Sequence, residues 1–362
     1  MTMRVYNFNG GPAALPLPVL QEVQEEFLDW QNTGMSIVEN SHRAKEVVKM
    51  ADDAQVLLKD LLGLNDDWAV AFCQGGASLQ FAMAPLNFAP DGASCDYIDT
   101  GLWSTKAYQE ALICGAGAKI AASSKNDDFT YIPGTFDFSS KPNYIYLTSN
   151  NTVRGTQWPN FPSSVPAPLI ADVSSEFLSR PLDLTNFGLI FAGAQKNVAP
   201  AGLTIAIIRR DFALSGKKGL PHMLDYRTYI DNDSMYNTPP VFAIYVAGLV
   251  FRWLKKTIGG LKAMDALNRE KAKTLYAAID SSGGFYKGTA KETSRSIMNV
   301  TFRLIDASLD KPFQEEAKKE GLVGLGGHRS VGGLRASLYN ALDLNAVKAL
   351  TGFMAEFQRR RG

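Results

Sequence analysis

A lysine near the middle of the chain stands where a buried nucleophile could work. Lys196 follows one apolar run and precedes Ala199-Pro200-Ala201-Gly202 and a second apolar run. Lysine is almost never fully buried without a partner, so an amine between two buried strands is a candidate for covalent catalysis. The pattern also fits a loop lysine whose amine reaches solvent, and Lys196 alone does not separate these interpretations.

Asp172 favours the catalytic interpretation of Lys196. Asp172 ends the apolar run Pro168–Ala171, which we predict to be a parallel strand. The carboxyl ends of parallel strands border the crevice in which α/β sheets bind ligands. A buried acid there needs a cation, and a protonated pyridine nitrogen is one such partner. The alternative, an N-cap for the next segment, leaves Lys196 unexplained.

Three strand-end segments carry residues that suit a flat, phosphorylated ligand. Gly75-Gly76-Ala77-Ser78 would present backbone N–H groups at a helix N-terminus to a phosphate, although many such turns bind nothing. Trp103 could stack on a planar ring, and Thr152 could hydrogen-bond a ring substituent. The plain alternatives are a core tryptophan and an ordinary turn.

Cationic residues occur close together at two places, as His42-Arg43 and as His328-Arg329 with Arg335 nearby. The guanidinium fork suits carboxylate and phosphate, so a substrate with several negative charges would need such a set. Most arginines instead form surface ion pairs. The three scattered cysteines lack metal-ligand spacing, so we predict no metal site. Metalloprotease, Walker and esterase motifs are also missing from the sequence.

A mostly parallel sheet would position these residues. From Trp68 to Arg209, short apolar runs alternate with amphipathic stretches, which predicts an α/β domain. The runs predicted to be strands are Trp68–Cys73, Cys95–Asp99, Tyr144–Thr148, Leu169–Asp172, Leu189–Ala192 and Thr204–Arg209. After Trp253 the alternation stops, and we predict strands at Ser296–Leu304 and Gly332–Ser337 among helices. This arrangement indicates a smaller α+β domain. For a chain of 362 residues we therefore predict an N-terminal arm at 1–15, a large domain at 16–259 and a small domain at 260–362.

The charge, the apolar runs and the cysteines of the chain indicate which kinds of partner it can bind. A net charge of +1 gives no basic surplus for nucleic acid. The start of the chain has no apolar signal core. The longest apolar run, Phe242–Leu254, is interrupted by Arg252 and is too short to span a bilayer, so we predict a buried helix there. The odd, scattered cysteines suit a reducing compartment. We expect a cytoplasmic protein that binds neither nucleic acid nor membrane.

Together these segments resemble the phosphoserine aminotransferase family, fold-type-I pyridoxal-phosphate enzymes in class V of the aminotransferases. The resemblance covers nearly the whole chain and rests on motifs in order. They are Tyr6-Asn7-Phe8-Asn9-Gly10-Gly11-Pro12-Ala13, Gly34-Met35-Ser36, Ser41-His42-Arg43, Gly75-Gly76-Ala77-Ser78, Asn150-Asn151-Thr152, Gly155-Thr156-Gln157-Trp158, Ala192-Gly193-Ala194-Gln195-Lys196-Asn197, Met235-Tyr236-Asn237-Thr238-Pro239-Pro240 and Gly327-His328-Arg329-Ser330 through Arg335.

The resemblance implies a fold-type-I transferase with a seven-stranded sheet and pyridoxal 5'-phosphate as cofactor. Lys196 would hold the cofactor as a Schiff base, and Asp172 would pair with the pyridine nitrogen. Trp103 would stack on the ring, and Thr152 would bond its phenolic oxygen. The residues implied to hold the phosphate are Ala77, Ser78 and Gln195, with Asn237 and Thr238 of a neighbouring subunit, so the family predicts a homodimer with shared sites.

The implied reaction is a ping-pong transamination between glutamate and 3-phosphohydroxypyruvate in serine biosynthesis, giving 2-oxoglutarate and O-phospho-L-serine. Arg335 would hold the α-carboxylate. The residues implied to hold the distal phosphate or carboxylate, from both chains, are His42, Arg43, His328 and Arg329. Some family members also use the phosphohydroxythreonine pair of vitamin B6 synthesis.

The chain departs from some members at Ser78, where they carry arginine, so the phosphate site has one positive charge fewer. Other readings stay open at this point. Another aminotransferase is the nearest, and a cysteine desulfurase would need a cysteine in a mobile loop. A binding module without catalysis and a dinucleotide-dependent oxidoreductase are further alternatives; the sequence has no Gly-x-Gly-x-x-Gly after its first strand.

Overall fold

The computed structural model describes residues 4–362. The strands within that range are β1 (Tyr6–Asn7), β2 (Trp68–Gln74), β3 (Ser94–Asp99), β4 (Gly117–Ser123), β5 (Ile145–Thr148), β6 (Asn150–Asn151), β7 (Thr156–Gln157), β8 (Leu169–Asp172), β9 (Phe187–Gly193), β10 (Leu203–Arg209), β11 (Tyr286–Gly288), β12 (Asn299–Leu304), β13 (Leu322–Val323) and β14 (Leu334–Ser337). The α-helices are α1 (Leu17–Glu26), α2 (Lys45–Leu62), α3 (Gly76–Phe88), α4 (Leu102–Ile113), α5 (Arg210–Leu214), α6 (Tyr226–Asp231), α7 (Val241–Arg252), α8 (Leu261–Asp280), α9 (Asp310–Lys319) and α10 (Leu344–Arg361).

The central sheet has seven strands in the order β2-β10-β9-β8-β5-β3-β4. Its strands are parallel except β10, which runs antiparallel to both β2 and β9. The predicted α/β class with a mostly parallel seven-stranded sheet is confirmed. Six of these strands are predicted from apolar runs. The edge strand β4 is not, because only one of its seven residues is buried and the strand includes Gly117 and Lys119.

Helices cover both faces of this sheet, which explains why its strands read as continuous apolar runs. Alternate residues of β10 point to opposite faces, so Ile205 and Ile207 join one core while Ala206 and Ile208 join another. The first core includes the apolar sides of α2 and α7, and the second includes those of α3 and α4. The sheet is therefore a rigid platform whose strand ends can hold side chains in fixed positions.

The apolar run at Phe242–Leu254 is a buried helix, as predicted. It forms α7, and a π-helical turn continues it over Trp253–Ile258. No helix in residues 4–362 combines the length and the apolar character needed to cross a membrane.

The C-terminal part contains a three-stranded antiparallel sheet, β11-β12-β14, packed against α8, α9 and α10. Strand β1 pairs in parallel with β13, and Phe8 lies in the core of this part. The start of the chain is thus attached to residues more than three hundred positions later. The boundaries predicted near residues 15 and 259 stay predictions.

Two predicted strands in this part begin later than expected. The strand predicted at Ser296 begins at Asn299, because the Ser296 hydroxyl accepts hydrogen bonds from two backbone N–H groups of a local turn. The strand predicted at Gly332 begins at Leu334. Gly332 and Gly333 have φ angles of 66° and 69°, a left-handed conformation that a strand cannot use.

Candidate active site

A cavity of about 360 Å³ lies at the carboxyl ends of the central strands. It collects residues from the start, the middle and the end of the chain. The predicted site residues that line it are Ala77, Ser78, Trp103, Thr152, Asp172, Gln195, Lys196, His328 and Arg335. The crevice beyond the strand ends is the ligand site that parallel α/β sheets favour.

Asp172 is the last residue of β8 and is buried. Burial raises the pKa of its carboxyl group, and this is the largest effect; hydrogen bonds from Ser174 and the charge of Lys196 oppose it. The backbone N–H of Ser174 donates to the carboxylate at 2.9 Å, and the Ser174 hydroxyl accepts from the N–H of Gly193 at 2.9 Å. A desolvated carboxylate held in this way suits a cationic ring nitrogen.

Lys196 lies in the turn after β9, and its side chain is half-buried. Its amine donates to the backbone carbonyl of Gly10 in the N-terminal segment. The hydroxyl of Tyr339 donates to the same carbonyl at 3.1 Å. At Gly11, with φ +124°, a Cβ would lie 2.6 Å from the lysine nitrogen. Glycine is needed there both for its backbone conformation and for the space that Lys196 occupies.

The N-terminus of α3 faces the cavity. Gly75 precedes the helix with φ 89°, and no side chain caps the first turn, which contains Ala77 and Ser78. Its backbone N–H groups and dipole favour an anion, in agreement with a phosphate site. Gln195 also lines this cavity.

Several polar groups beside the cavity lack partners within the described chain. The hydroxyls of Thr148 and Ser149 are buried and make no hydrogen bond with any residue from 4 to 362. Thr148 lines the cavity. Buried hydroxyls are nearly always satisfied, so this orphaned group fits a site built for a polar ligand. Thr152 and Trp103 line the same cavity. This position agrees with the predicted roles, in which Thr152 hydrogen-bonds a ring substituent and Trp103 stacks on the ring.

An arginine and a histidine complete the wall of the cavity. The Arg335 guanidinium donates to the carbonyl of Thr152 at 3.2 Å, and its Nε has no partner within residues 4–362. His328 shares a hydrogen bond of 2.8 Å with Ser330. Burial lowers the pKa of His328, with further lowering by Arg335, Arg329, Lys106 and Lys196. Its imidazole is therefore neutral near pH 7.

Five predicted residues do not line the cavity of this single chain. His42 and Arg43 lie in the turn before α2, Asn237 and Thr238 lie before α7, and Arg329 follows His328 on the surface. Within the chain, the amide oxygen of Asn237 accepts from Gln74 at 3.3 Å. One chain brings nine of the predicted residues together and leaves these five outside.

Sequence reasoning missed four contributors: Gly10, Thr148, Ser174 and Tyr339. Ser174 had a local signal, since it is two residues after a strand-ending aspartate and such a hydroxyl often bonds back to the acid. Tyr339 had none, because 329 residues separate it from its partner Gly10. Within residues 4–362, no group of three histidine, cysteine, aspartate or glutamate side chains could hold a metal ion.

The family model "Aminotransferase class-V" matches residues 5–350. The chain belongs to the class-V aminotransferases. It is therefore an aminotransferase, with pyridoxal 5'-phosphate as its cofactor. The lysine, the buried acid, the helix N-terminus and the stacking tryptophan found in one cavity fit that group.

Several of the relatives to which the chain is similar are phosphoserine aminotransferases. The chain is 54% identical to a phosphoserine aminotransferase of Desulfosudis oleivorans over the full length of both proteins. It is similar to the solved phosphoserine aminotransferase of Bacillus circulans subsp. alkalophilus, with a TM-score of 0.96, 49% identity and 99% of each chain covered. A pyridoxal-phosphate-bound phosphoserine aminotransferase from Trichomonas vaginalis has a TM-score of 0.92 and 41% identity, with 97% of this chain and 100% of that chain covered.

Proposed function

We propose that this enzyme is a phosphoserine aminotransferase, which transfers an amino group between glutamate and 3-phosphohydroxypyruvate to give 2-oxoglutarate and O-phospho-L-serine. The observation that carries the proposal is one cavity that contains Lys196, Asp172, the guanidinium of Arg335 and the imidazole of His328. Relatives of this name, about half identical over the full length, support the substrate assignment. Serine biosynthesis is the corresponding pathway.

When bound, pyridoxal phosphate supplies a conjugated ring that accepts the electrons of a carbanion at the substrate Cα. The chain's own residues do the remaining work. Asp172 would hold the ring nitrogen and favour its protonated form, because the buried carboxylate would then have a cationic partner. Ser174 orients that carboxylate. The amine of Lys196 would take the proton from the Cα of the first substrate and would return a proton to the Cα of the second in the other half of the reaction.

The basic side chains of the site would orient the substrate by binding its two anionic ends. Arg335 would bind the α-carboxylate with its free Nε and fork-like guanidinium. The distal anion, a phosphate or the side-chain carboxylate of glutamate, would meet His328 and Arg329. Both substrates carry an α-carboxylate and a distal anion, so one pocket serves both halves of the reaction.

The residues outside the cavity are best explained by a homodimer. His42, Arg43, Asn237 and Thr238 lie outside the cavity of their own chain, and three of the four are exposed. In a two-fold dimer these residues would complete the partner's site, as the family resemblance implies. We also propose a cytoplasmic location, which three unpaired cysteines support, and the division into an arm, a large domain and a small domain at residues 15 and 259.

A coupled assay tests the substrate. The purified holoenzyme is supplied with glutamate and 3-phosphohydroxypyruvate, with pyruvate, or with the keto acid of phosphohydroxythreonine, and 2-oxoglutarate is measured. We expect turnover with a phosphorylated keto acid and little with pyruvate. Borohydride reduction followed by peptide mass spectrometry should place the cofactor on Lys196. Preference for pyruvate, or a label on another lysine, would refute the proposal.

A further inference from the structure

Lys106 does not itself line the cavity, but it is a cation next to Trp103, which does, and the reaction described above does not use it. It lies one turn after Trp103 on α4, where side chains three residues apart share a face. Its side chain is exposed, and its amine is 5.0 Å from the centre of the Trp103 ring. No carboxylate of residues 4–362 forms an ion pair with it. Its charge is therefore not neutralised within the chain.

The electrostatics of the cavity connect Lys106 to the substrate end. Lys106 is among the cations that lower the pKa of His328, together with Arg335, Arg329 and Lys196. Its field thus reaches the imidazole that lines the cavity. Ser78, at the phosphate-binding turn, contributes no charge of its own. Arg335 is the one arginine among the described residues that line the cavity, so a further positive charge beside Trp103 would add to the attraction for a phosphorylated substrate.

We propose that Lys106 is a specificity-determining residue, which holds a positive charge at the rim of the cavity beside Trp103 and favours the phosphorylated substrate over glutamate. This inference rests on the proposed function. The flat ring keeps the flexible amine at one place by a cation–π contact. Attraction between charges scales with the charge of the ligand, so a dianionic phosphate gains more from Lys106 than a carboxylate does.

Steady-state kinetics of the holoenzyme test this inference. In Lys106→Ala we expect KM for 3-phosphohydroxypyruvate to rise about fivefold, as for one exposed charge, and KM for glutamate to rise no more than about twofold. The value of kcat should stay unchanged, because Lys106 does not touch the reacting atoms. The rise in KM should shrink at high ionic strength, since salt screens an exposed charge.

Two matched variants separate charge from packing. Lys106→Arg keeps the charge and the contact with the ring, and should retain the wild-type ratio of the two KM values. Lys262→Ala removes a similar exposed charge on α8, outside the cavity, and should change neither KM. Competitive inhibition by inorganic phosphate gives an independent readout: its inhibition constant should rise in Lys106→Ala by the same factor as KM for the phosphorylated substrate.

The outcomes are distinct. Equal rises in both KM values, an unchanged phosphate inhibition constant, or the same defect in Lys106→Arg would overturn the role of Lys106. If the wild-type enzyme itself does not turn over phosphorylated keto acids, the proposed function fails first. If the wild type does so and Lys106→Ala behaves like Lys262→Ala, only this inference fails.

Discussion

Lys196 and Tyr339 donate to the same oxygen, the backbone carbonyl of Gly10. The Tyr339 hydroxyl in turn accepts from the side-chain amide of Asn299 at 3.3 Å. Tyr339, in the C-terminal part, therefore holds in place the Gly10 carbonyl that accepts the hydrogen bond from the Lys196 amine. We infer that this carbonyl gives the amine a defined resting position when it is not bound to the cofactor.

Removing the Tyr339 hydroxyl tests this arrangement. In Tyr339→Phe the Gly10 carbonyl keeps Lys196 as a donor but loses its second one, a change of about 1 kcal/mol for one hydrogen bond. We expect kcat to fall about fivefold with little change in KM. Tyr286→Phe is the matched control, because it also loses a bond from a buried hydroxyl to a backbone carbonyl, that of Met354 at 2.8 Å, away from the cavity. An equal fall in kcat for both variants would assign the effect to general stability.

Replacing the lysine should abolish turnover. In Lys196→Ala no amine remains to form the Schiff base or to move the proton at the substrate Cα. We expect activity at the detection limit, while circular dichroism and the thermal midpoint stay close to those of the wild type. Near-normal transamination by this variant would show that another group does the chemistry.

Asp172→Asn should separate stability from cofactor affinity. Burial raises the pKa of this carboxyl group in the folded chain, so the group favours the folded state below its unfolded pKa and loses that contribution as pH rises through its folded pKa. Near pH 7 the buried charge thus costs stability when no cofactor is bound. We expect the cofactor-free Asn variant to be more stable, by about 1 kcal/mol, and to gain less from added pyridoxal phosphate. Thermal unfolding with and without cofactor measures both; a less stable cofactor-free variant would contradict this account.

Gly11→Ala should displace the lysine. A Cβ at this position would lie 2.6 Å from the lysine nitrogen, and the backbone has φ +124°. We expect a loss of about 1–2 kcal/mol in the free energy of unfolding and a marked loss of kcat. Gly283→Ala is the control, because Gly283 also has a positive φ, 62°, but has no atom within 4 Å of its Cβ position. It should lose stability while keeping kcat; a fall in kcat there as well would remove Lys196 from the explanation.

Lys271 should give the stability of the chain a dependence on pH. Its buried amine donates to the carbonyls of Leu338, Tyr339 and Leu342 at 2.8–3.0 Å. Burial lowers the pKa of this amine to about 7, whereas the unfolded chain keeps the proton until about pH 10.5. Between these values the unfolded state binds more protons, so this group makes the folded state more stable as pH rises.

Denaturant unfolding of the wild type and Lys271→Met from pH 7 to pH 9 measures this effect. The variant leaves three carbonyls without a donor, and we expect it to lose about 3 kcal/mol at pH 7. The difference between the two proteins should then widen with pH, by at most about 1.4 kcal/mol per unit. A difference that stays flat would mean that the three carbonyls keep the amine protonated throughout.

The sequence predicted the strands well because both faces of the sheet are covered, so each strand is a short apolar run such as Leu169–Asp172. It did not reveal the direction of β10. The connection from β9 to β10, residues 194–202, is too short for the crossover that a parallel pair needs, and an antiparallel strand follows. The length of this connection could have predicted the antiparallel direction of β10. The largely exposed edge strand β4 has no apolar run from which it could have been predicted.

The site residues that lie at the ends of predicted strands could be predicted from the sequence. Asp172, Lys196 and the turn before α3 each follow a predicted strand, so their common edge could be inferred from the order of elements. Gly10 and Tyr339 could not be placed, because their contact depends on how the C-terminal sheet packs beside the N-terminal segment. His42, Arg43, Asn237 and Thr238 lie outside the cavity of their own chain, and only the proposed dimer would bring them to a site. Patterns within one sequence give no distance between such residues and the cavity.

The pairing of β1 with β13 has a consequence for how the enzyme is made. During translation the lysine-bearing turn leaves the ribosome well before the segment that holds residues 6 and 7 in place. A nascent chain can form the central sheet early, yet the carbonyl that receives the lysine amine is anchored only when residues 322–339 have emerged. Ribosome-bound chains that have not yet exposed residues 322–339 should therefore lack the finished pocket, even when their central sheet has formed.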